Sequence, residues 1–489
     1  MSFKIAFIGA GSLVFARTLF TDIISVPEFH NIEIAFTDIN PDNLEKTRKL
    51  CQRDLDANNI PIRIEATTNR RDAFKDARYI VNCVRIGGLE GFETDVEIPL
   101  KYGIDQCVGD TLCTGGIMYG QRVIAEMLNF CKDIREVSEP GAIMLNYSNP
   151  NAMATWACNK YGKVRTIGLC HGEIHGEQQI SEVLGIPREE LDVICAGINH
   201  QTWYISVKHN GEDMIPKLLA GFEAHPKFSQ EEKSPHLDML KTFRNTILTE
   251  SNGHSLRICS LVPQTPDEIK DWINLDNWIN GETGGYLRVT REERNWFETD
   301  FPKILAEPAK KLDGSERSKE HASYIIESLE TGRHYRGHFN IMNEGCITNL
   351  PWESVVEVPC YVDGNGISIP KVGDLPLGCA AVCSQSIWVQ KLAVEAAVHG
   401  DIQLLKQAAM MDPLTGAVCN PPEIWQMIDE MLVAQEQWLP QYTEAIKAAK
   451  EHLANDPLIP TKDYHGAARL REKTPEEVAA ERDARKITA

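Results

Sequence analysis

Residues 3–24 read FKIAFIGAGSLVFARTLFTDII, and this stretch indicates how the chain begins to fold. The apolar run Phe3–Ile8 is followed directly by the glycine turn Gly9-Ala10-Gly11-Ser12 and then by the amphipathic segment Leu13–Ile24. A strand, a glycine turn and a helix N-terminus form a phosphate-binding device, because backbone N–H groups and the helix dipole converge on an anion. The stretch therefore predicts a dinucleotide site at the start of the chain.

The predicted dinucleotide is NAD. The second apolar run, Ile32–Asp38, ends in a carboxylate that can accept hydrogen bonds from both ribose hydroxyls of an adenosine and that should repel the extra phosphate of NADP. The third glycine of the usual fingerprint is absent because position 14 is Val, so the turn by itself also fits an ordinary strand–helix connection. Its N-terminal place and the following Asp38 favour NAD. The candidate cofactor-binding residues are Gly9, Gly11, Ser12 and Asp38.

Strand-like and helix-like segments alternate through the first 200 residues. The candidate strands are Phe3–Ile8, Ile32–Asp38, Ile62–Ala66, Tyr79–Val84, Ala142–Tyr147 and Thr166–Cys170. Strands separated by helices predict a parallel, doubly wound sheet. From Leu191 the apolar alternation is stricter and Asn210-Gly211 is a turn signal, which favours a mixed or antiparallel sheet. The predicted fold class is α/β, with an N-terminal Rossmann-type parallel sheet followed by a mixed α+β half for substrate binding and oligomerisation.

Three units are expected along the chain. Residues 1–195 would form the NAD-binding Rossmann-like domain, residues 196–455 a mixed α+β catalytic and oligomerisation domain, and residues 456–489 a charged C-terminal extension. Residues 212–335 and 386–450 are expected to be mainly helical, and Val355–Val362 with Gly366–Pro370 to form a hairpin. Thr474-Pro475 begins a last helix, because Thr suits the N-cap and Pro the first helical position.

Composition limits the classes of partner. The 489 residues include 50 Lys+Arg and 70 Asp+Glu, a net charge of −20, which argues against nucleic acid and anionic membrane surfaces as partners. No apolar stretch is long enough to span a bilayer, and the N-terminal run lacks the features of a signal peptide. The 14 cysteines are scattered without a C-x-x-C pair. A cytoplasmic protein with free thiols and a small-molecule substrate is therefore expected.

Two later segments end in side chains that bind metals. Thr166–Cys170 is followed by His171, and Gly197-Ile198-Asn199 is followed by His200. A thiolate and an imidazole at the ends of neighbouring strands suit a divalent ion with open positions for substrate oxygens. The alternative is a buried Cys170 and an unrelated His200 that share no site.

These motifs resemble glycoside hydrolase family 4, the NAD- and manganese-dependent glycosidases, and within it most closely the α-galactosidases (melibiases). The resemblance extends over nearly the whole chain. It rests on Gly9-Ala10-Gly11-Ser12, Ile86-Gly87-Gly88, Asp110-Thr111-Leu112, Gly115-Gly116-Ile117-Met118, Met144-Leu145-Asn146-Tyr147, Asn149-Pro150, Gly168-Leu169-Cys170-His171, Ala196-Gly197-Ile198-Asn199-His200, Thr249-Glu250-Ser251, Asn343-Glu344-Gly345, Asn349-Leu350-Pro351, Val356-Glu357-Val358 and residues 408–413.

The resemblance implies a role for individual residues. Cys170 and His200 would hold Mn²⁺, and Asp110 and Asn149 would contact the sugar. His171 would be the leaving-group acid. The general base would come from the region 249–254, where relatives carry Tyr or Asp and this chain offers Glu250, with His254 as the alternative.

The resemblance also implies the reaction. It is hydrolysis of α-glycosides, foremost α-galactosides, by NAD-mediated oxidation at C3, Mn-assisted loss of the C2 proton and elimination, and then water addition and re-reduction. The expected assembly is a homodimer or homotetramer.

Three alternatives stay open. Gly172-Glu173 replaces the Ser and aliphatic residue of melibiases, and Cys113-Thr114 replaces their Gly-Pro, so the glycone could instead be an α-galacturonide, α-glucuronide or α-glucoside. The Glu173 carboxylate would accept hydrogen bonds from sugar hydroxyls or point into solvent. An NAD-dependent hydroxy-acid dehydrogenase would share the glycine turn but would release NADH and need no metal. A non-catalytic NAD-sensing protein would have no use for the pair of Cys170 and His200.

Overall fold

The computed structural model describes residues 2–225, 247–248 and 281–488, and within these residues thirteen strands form one sheet. The strands are β1 (Lys4–Ile8), β2 (Glu33–Thr37), β3 (Ile64–Thr67), β4 (Ala77–Asn82), β5 (Ile143–Asn146), β6 (Arg165–Gly168), β7 (Leu191–Ile198), β8 (Gln201–His209), β9 (Glu212–Asp213), β10 (Ile247–Leu248), β11 (Tyr335–Met342), β12 (Val355–Asp363) and β13 (Gly366–Ser368).

Helices cover this sheet. In the part of the chain that the structure describes they are α1 (Leu13–Ile24), α2 (Pro41–Ala57), α3 (Arg70–Phe74), α4 (Gly88–Lys101), α5 (Cys113–Val137), α6 (Asn151–Lys160), α7 (Gly172–Leu184), α8 (Ile215–Ala224), α9 (Gly285–Ala306), α10 (His321–Thr331), α11 (Leu377–His399), α12 (Ile402–Met411), α13 (Pro413–Val418), α14 (Pro421–Ala434), α15 (Thr443–Asn455) and α16 (Pro475–Thr488). Short 3₁₀ turns occupy Pro27–Phe29, Arg188–Glu190, Glu436–Trp438 and Pro440–Tyr442.

The first six strands are parallel and lie in the order β3-β2-β1-β4-β5-β6. This is the strand order of a dinucleotide-binding fold, and it confirms the predicted Rossmann-type sheet. The predicted strands agree with the observed ones to within three residues at each end. The agreement follows from burial, because a strand covered by helices on both faces is apolar along its whole length, as β1 is.

The remaining strands extend the same sheet in antiparallel fashion. The order continues from β6 through β11, β12, β7 and β8 to β10, and β13 forms the predicted hairpin with β12. The expectation that Cys170 and His200 follow neighbouring strands is wrong, because β11 and β12 lie between β6 and β7. Local pattern could not reveal this, since the inserted strands come from a much later part of the chain.

The core lies on both faces of the sheet. Phe7 and Phe20 make edge-to-face contacts with Phe36, with ring centroids 5.2 Å and 5.8 Å apart, and these pack α1 against β1 and β2. A buried ion pair joins α4 to α5, where Arg122 Nη1 and Nη2 donate to the two oxygens of Asp95 over 2.8 Å and 2.7 Å. The bidentate geometry fixes these helices beside the sheet.

The C-terminal arm, residues 456–474, runs back over the loop that connects α4 to α5. Asp105 in that loop is buried, and its Oδ2 accepts hydrogen bonds from the Tyr464 hydroxyl over 2.9 Å and from the Ala467 N–H over 2.8 Å. The helix that follows, α16, packs on α9, where the Arg482 guanidinium lies 4.2 Å from the ring centroid of Trp296. The predicted helix start at Thr474 is confirmed.

The other predictions about helices agree with the structure where it describes them. The helices α8, α9 and α10 fall within 212–335, and α11 to α15 account for most of 386–450. None of the described helices combines the length and the apolar composition that crossing a bilayer requires.

Candidate functional site

The glycine turn lies at the carboxyl end of β1. Gly9 adopts a left-handed φ of +81°, and a Cβ added there would lie 2.8 Å from the backbone of Cys83 and Val84, so only glycine fits. The N–H groups of Gly9 and Ala10 donate to the Thr37 carbonyl, which ties the turn to the end of β2. The turn leads directly into the N-terminus of α1, the geometry that suits a phosphate.

Asp38 contacts this turn directly. Its Oδ2 accepts the Gly11 N–H over 2.8 Å and its Oδ1 accepts the Asn40 N–H over 2.8 Å. A Cβ on Gly11 would lie 2.8 Å from Asp38 Oδ2, so this glycine leaves the space in which the carboxylate lies. Each carboxylate oxygen can accept further hydrogen bonds, and two ribose hydroxyls are suitable donors. The structure thus brings together Gly9, Gly11, Ser12 and Asp38 as a cradle that fits NAD.

The two predicted sugar-binding residues meet at the same edge of the sheet. Asn149 follows β5, and its Nδ2 donates to Asp110 Oδ2 over 3.1 Å. Arg85, which follows β4, donates to the same oxygen from Nη2 over 3.1 Å. The Arg85 guanidinium also lies 4.4 Å from the ring centroid of Phe92, so its place is set by packing as well as by charge. Asp110 is buried, and its carboxylate is therefore held as a paired, oriented acceptor.

The Thr111 hydroxyl links the Asp110 carboxylate to His200. Thr111 Oγ1 donates to Asp110 Oδ1 over 3.2 Å, and it lies 2.7 Å from His200 Nδ1. Because the hydroxyl uses its single hydrogen toward Asp110, the imidazole donates from Nδ1 and carries its lone pair on Nε2. This is the tautomer in which His200 can ligate a metal through Nε2, with Thr111 as the outer partner that orients the ring.

Cys170 lies at the start of α7, two residues after the end of β6. The Gly172 N–H donates to its sulfur over 3.4 Å. A donor at a helix N-terminus favours the negatively charged thiolate, the form of cysteine that binds metals. Although β6 and β7 are not neighbours, the chain of contacts from His200 through Thr111 and Asp110 ends at Asn149, which follows β5, the direct neighbour of β6.

A buried side chain beside His200 lacks a partner. Asn199 is 1% exposed, and neither its Nδ2 nor its Oδ1 makes a hydrogen bond within the described residues. A buried amide in this state usually faces a water or a ligand. A thiolate and an imidazole are donor types that suit a catalytic divalent ion completed by substrate and water, and the Asn199 amide directly precedes His200 in the chain.

His171 is the N-cap residue of α7 and its side chain is 51% exposed, so a substrate can reach it. Its Nδ1 lies 3.7 Å from Oε1 of Glu320, the residue that precedes α10. Burial raises the pKa of the Glu320 carboxyl to about 6. An imidazole beside a carboxyl with a raised pKa is an arrangement in which protons can be exchanged near neutral pH.

Glu173 is shielded from solvent, with a side chain that is 1% exposed. Its carboxylate is buried beneath α7, with Oε1 2.9 Å from His321 Nε2 and Oε2 3.6 Å from His338 Nδ1. The expectation that Glu173 points into solvent is wrong, and the expectation that it binds sugar hydroxyls stays a prediction. Sequence could not reveal this environment, because His321 and His338 lie far along the chain.

Glu173, Glu177 and His338 bring possible ligand atoms to within 4.8 Å of one another. These residues do not suit a metal. The Cys195 N–H donates to His338 Nε2 over 3.2 Å, so the ring hydrogen is on Nδ1, the atom that faces Glu173. Glu177 is already paired with Arg188. The group is a buried cluster in which Glu177 pairs with Arg188 and Glu173 contacts the His338 imidazole.

The two candidates for the general base, Glu250 and His254, lie outside the described residues. Three residues that the sequence did not single out contact the predicted site residues. Arg85 and Thr111 donate hydrogen bonds to Asp110, and Glu320 lies next to His171. The position of Arg85 directly after a predicted strand was a signal that could have identified it. Glu320 follows no strand, and nothing in its local sequence indicates its place.

Comparisons with known proteins show which proteins this chain is similar to. A model described as "Family 4 glycosyl hydrolase" matches residues 4–186, and one described as "Family 4 glycosyl hydrolase C-terminal domain" matches residues 195–415. An α-galactosidase of Rhizobium meliloti (strain 1021) is 55% identical over 489 residues, which is 100% of this chain and 99% of that protein. An α-galactosidase of Bacillus subtilis (strain 168) is 33% identical over 90% of this chain and 99% of its own length.

A solved structure has the same fold. It is a 6-phospho-α-glucosidase from gut microorganisms in complex with NAD and Mn²⁺, with a TM-score of 0.75 and 21% identity. The match covers 90% of this chain and 99% of that one.

Proposed function

The chain belongs to family 4 of the glycosyl hydrolases, and on that premise we propose that it is an α-galactosidase that uses NAD and a divalent metal, foremost Mn²⁺. The observation that supports this proposal most strongly is the 55% identity, over the full length of the chain, to the Rhizobium meliloti α-galactosidase. The uronide and glucoside alternatives and the dehydrogenase alternative receive no comparable support.

The cofactor site in this proposal consists of Gly9, Gly11, Ser12 and Asp38. The glycine turn offers backbone N–H groups to the pyrophosphate at the N-terminus of α1. Asp38, held by the Gly11 and Asn40 N–H groups, accepts the ribose hydroxyls of NAD. When bound, NAD would accept a hydride from C3 of the sugar and later return it, so no net oxidation results.

Cys170 and His200 are the proposed metal ligands. The Gly172 N–H supports the Cys170 thiolate, and Thr111 directs the Nε2 lone pair of His200 toward the ligand position. A metal ion held there would act as a Lewis acid on a sugar oxygen and so acidify the neighbouring C–H bond. Asn199, which precedes His200, is buried and unpartnered among the described residues, so its amide is available to a ligand or water.

Asp110 and Asn149 are proposed to bind the sugar hydroxyls, with Arg85 holding Asp110 in place. His171 is proposed to protonate the leaving oxygen, since its ring is reachable by substrate and lies next to Glu320. Removal of the C2 proton needs a base, and Glu250 is our candidate, with His254 as the alternative. We also keep the division into residues 1–195, 196–455 and 456–489, a cytoplasmic location and a homodimer or homotetramer as parts of the proposal.

The test uses protein that has been stripped of NAD and treated with a chelator. It should cleave 4-nitrophenyl α-galactoside only when both NAD⁺ and Mn²⁺ are restored. Hydrolysis in D₂O should leave deuterium at C2 of the released galactose, because a proton lost from C2 is replaced from solvent. Cys170→Ser should lose turnover and metal binding while its thermal unfolding stays near that of the native enzyme, since a catalytic metal is not a structural one. Cleavage by the stripped protein, or product without deuterium, would exclude the proposed reaction.

A further inference from the structure

Two contacts join the start of α7 to the start of α10. On the surface side, His171 Nδ1 lies 3.7 Å from Glu320 Oε1. Beneath it, Glu173 Oε1 lies 2.9 Å from His321 Nε2, and both of these side chains are at most 1% exposed. His171 and Glu173 are two positions apart in one element, and Glu320 and His321 are adjacent in the other. The buried contact and the exposed contact therefore join the same two segments of the chain.

We propose that Glu173 is a positioning residue for the leaving-group acid, because its contact with His321 holds His171 against Glu320. This inference rests on the proposed α-galactosidase activity and deepens it. The Glu173 carboxylate acts on the reaction only through the placement of His171.

The two imidazoles that contact Glu173 also contact other groups through their second ring nitrogens. His321 Nδ1 lies 2.7 Å from the Tyr335 hydroxyl, and His338 Nε2 accepts the Cys195 N–H over 3.2 Å. Tyr335 and His338 both belong to β11, and Cys195 belongs to β7. The carboxylate is thus held by groups anchored in the central sheet, which makes the start of α7 a fixed point relative to the sheet.

The contact depends on charge. Burial acts to raise the pKa of the Glu173 carboxyl, but the His321 and His338 imidazoles outweigh it and hold that pKa well below its usual range. The carboxylate lies between these two imidazoles, with Oε1 2.9 Å from His321 Nε2 and Oε2 3.6 Å from His338 Nδ1. A neutral amide at position 173 would keep the shape of the side chain and lose most of this attraction.

The test compares two α-galactosides that differ in the leaving group. A 4-nitrophenyl group leaves readily without a proton, whereas the alkoxide of an alkyl α-galactoside needs an acid. Glu173→Gln should lower kcat for the alkyl substrate by about tenfold or more relative to kcat for the nitrophenyl substrate, which is within the usual contribution of a general acid. A purely structural role would lower both rates by the same factor.

Three further variants define the result. His321→Gln removes the same contact from the side of α10 and should give the same change in the rate ratio, so the test survives if Glu173→Gln does not fold. Glu292→Gln is the matched control, because Glu292 is also a buried carboxylate and is paired with Arg288 within α9 rather than with α7 or α10. It should leave the ratio unchanged. In a His171→Ala background, Glu173→Gln should change the ratio no further.

The outcomes separate the two proposals. If the native enzyme with NAD⁺ and Mn²⁺ cleaves both substrates and neither Glu173→Gln nor His321→Gln changes their rate ratio, the positioning role is wrong and the α-galactosidase proposal stands. A further change in the His171→Ala background would also overturn the positioning role, because Glu173 would then act on something other than His171. If the native enzyme cleaves neither galactoside, the proposed activity is wrong and the positioning role falls with it.

Discussion

The hydroxyl of Thr111 lies 2.7 Å from Nδ1 of His200 and donates its hydrogen to Asp110. One side chain therefore sets both the tautomer of a proposed metal ligand and the orientation of a proposed sugar-binding carboxylate. A change at Thr111 should therefore affect both metal binding and sugar binding, because it removes a contact of His200 and a contact of Asp110.

Thr111→Val should weaken metal binding by about 10- to 100-fold, the usual effect of removing an outer partner of a ligating histidine. The valine keeps the volume of the side chain but cannot accept the His200 Nδ1–H. Titration with Mn²⁺, followed by the recovery of activity, measures the affinity. Thr114→Val is the matched control, because the Thr114 hydroxyl is also buried but bonds to Thr415. Equal metal affinity in the Thr111 variant and the native enzyme would contradict the prediction.

Asp38→Ala should weaken NAD⁺ binding by about 1–3 kcal/mol, the scale of a lost charged hydrogen-bond acceptor. The variant loses the acceptor of the ribose hydroxyls and also the groups that hold the Gly11 and Asn40 N–H groups in place. Calorimetric titration with NAD⁺ measures the change. Asp42→Ala, at an exposed carboxylate in the first turn of α2, is the control and should bind NAD⁺ as the native protein does. The assignment of Asp38 to the ribose would be wrong if both variants bound equally well.

The dinucleotide half of the fold could be predicted from sequence because its determinants are local. Each parallel strand is buried along its length, and Gly9, Gly11 and Asp38 follow strand ends directly, so the cradle is visible in a short stretch of residues. The insertion of β11 and β12 between β6 and β7 could not be predicted, because a single register pair, Gly168 with Asn340, joins the two halves and leaves no mark on either sequence.

The residues of the candidate site also differ in how far sequence alone could predict them. Asp110, Asn149, Cys170 and His200 belong to motifs that a family resemblance makes visible. Glu320 and His321 were missed because their roles depend on partners across the sheet, and a lone Glu-His pair before a helix is ordinary in sequence. The environment of Glu173 was misjudged for the same reason: whether a carboxylate near a metal ligand faces the sugar or the core depends on distant residues.

Glu320→Gln should stabilise the folded protein at neutral pH. Burial raises the pKa of this carboxyl from 4.5 to about 6, so the folded state binds the proton more tightly than the unfolded state does. Stability is therefore lost as pH rises through 6, by up to about 2 kcal/mol above that pH. The neutral amide of the Gln variant does not titrate, so its stability does not fall in this way. Thermal unfolding at pH 7.5 should show a higher Tm for Glu320→Gln than for the native protein, and the difference should shrink toward pH 5. A difference that does not change with pH would contradict this account.

The native enzyme should prefer galactosides to galacturonides. A uronide places a carboxylate at C6, which needs a nearby cation, and the Arg85 guanidinium is already paired with Asp110. We expect kcat/KM to be higher for 4-nitrophenyl α-galactoside than for the corresponding α-galacturonide and α-glucuronide, assayed side by side with NAD⁺ and Mn²⁺. Since Glu173 is buried against His321 and His338, Glu173→Ser should not reverse this order. The opposite order in the native enzyme would favour the uronide alternative.

The contact of the C-terminal arm with Asp105 has a consequence for the order in which the molecule is completed during synthesis. Tyr464 and Ala467 supply hydrogen bonds to a loop that was made more than 350 residues earlier and that continues directly into Asp110 and Thr111. A nascent chain still lacking its last segment can form the dinucleotide cradle, but its sugar-binding loop has not yet received those donors. Ribosome-bound chains that end before residue 456 should therefore bind NAD but not yet turn over a glycoside.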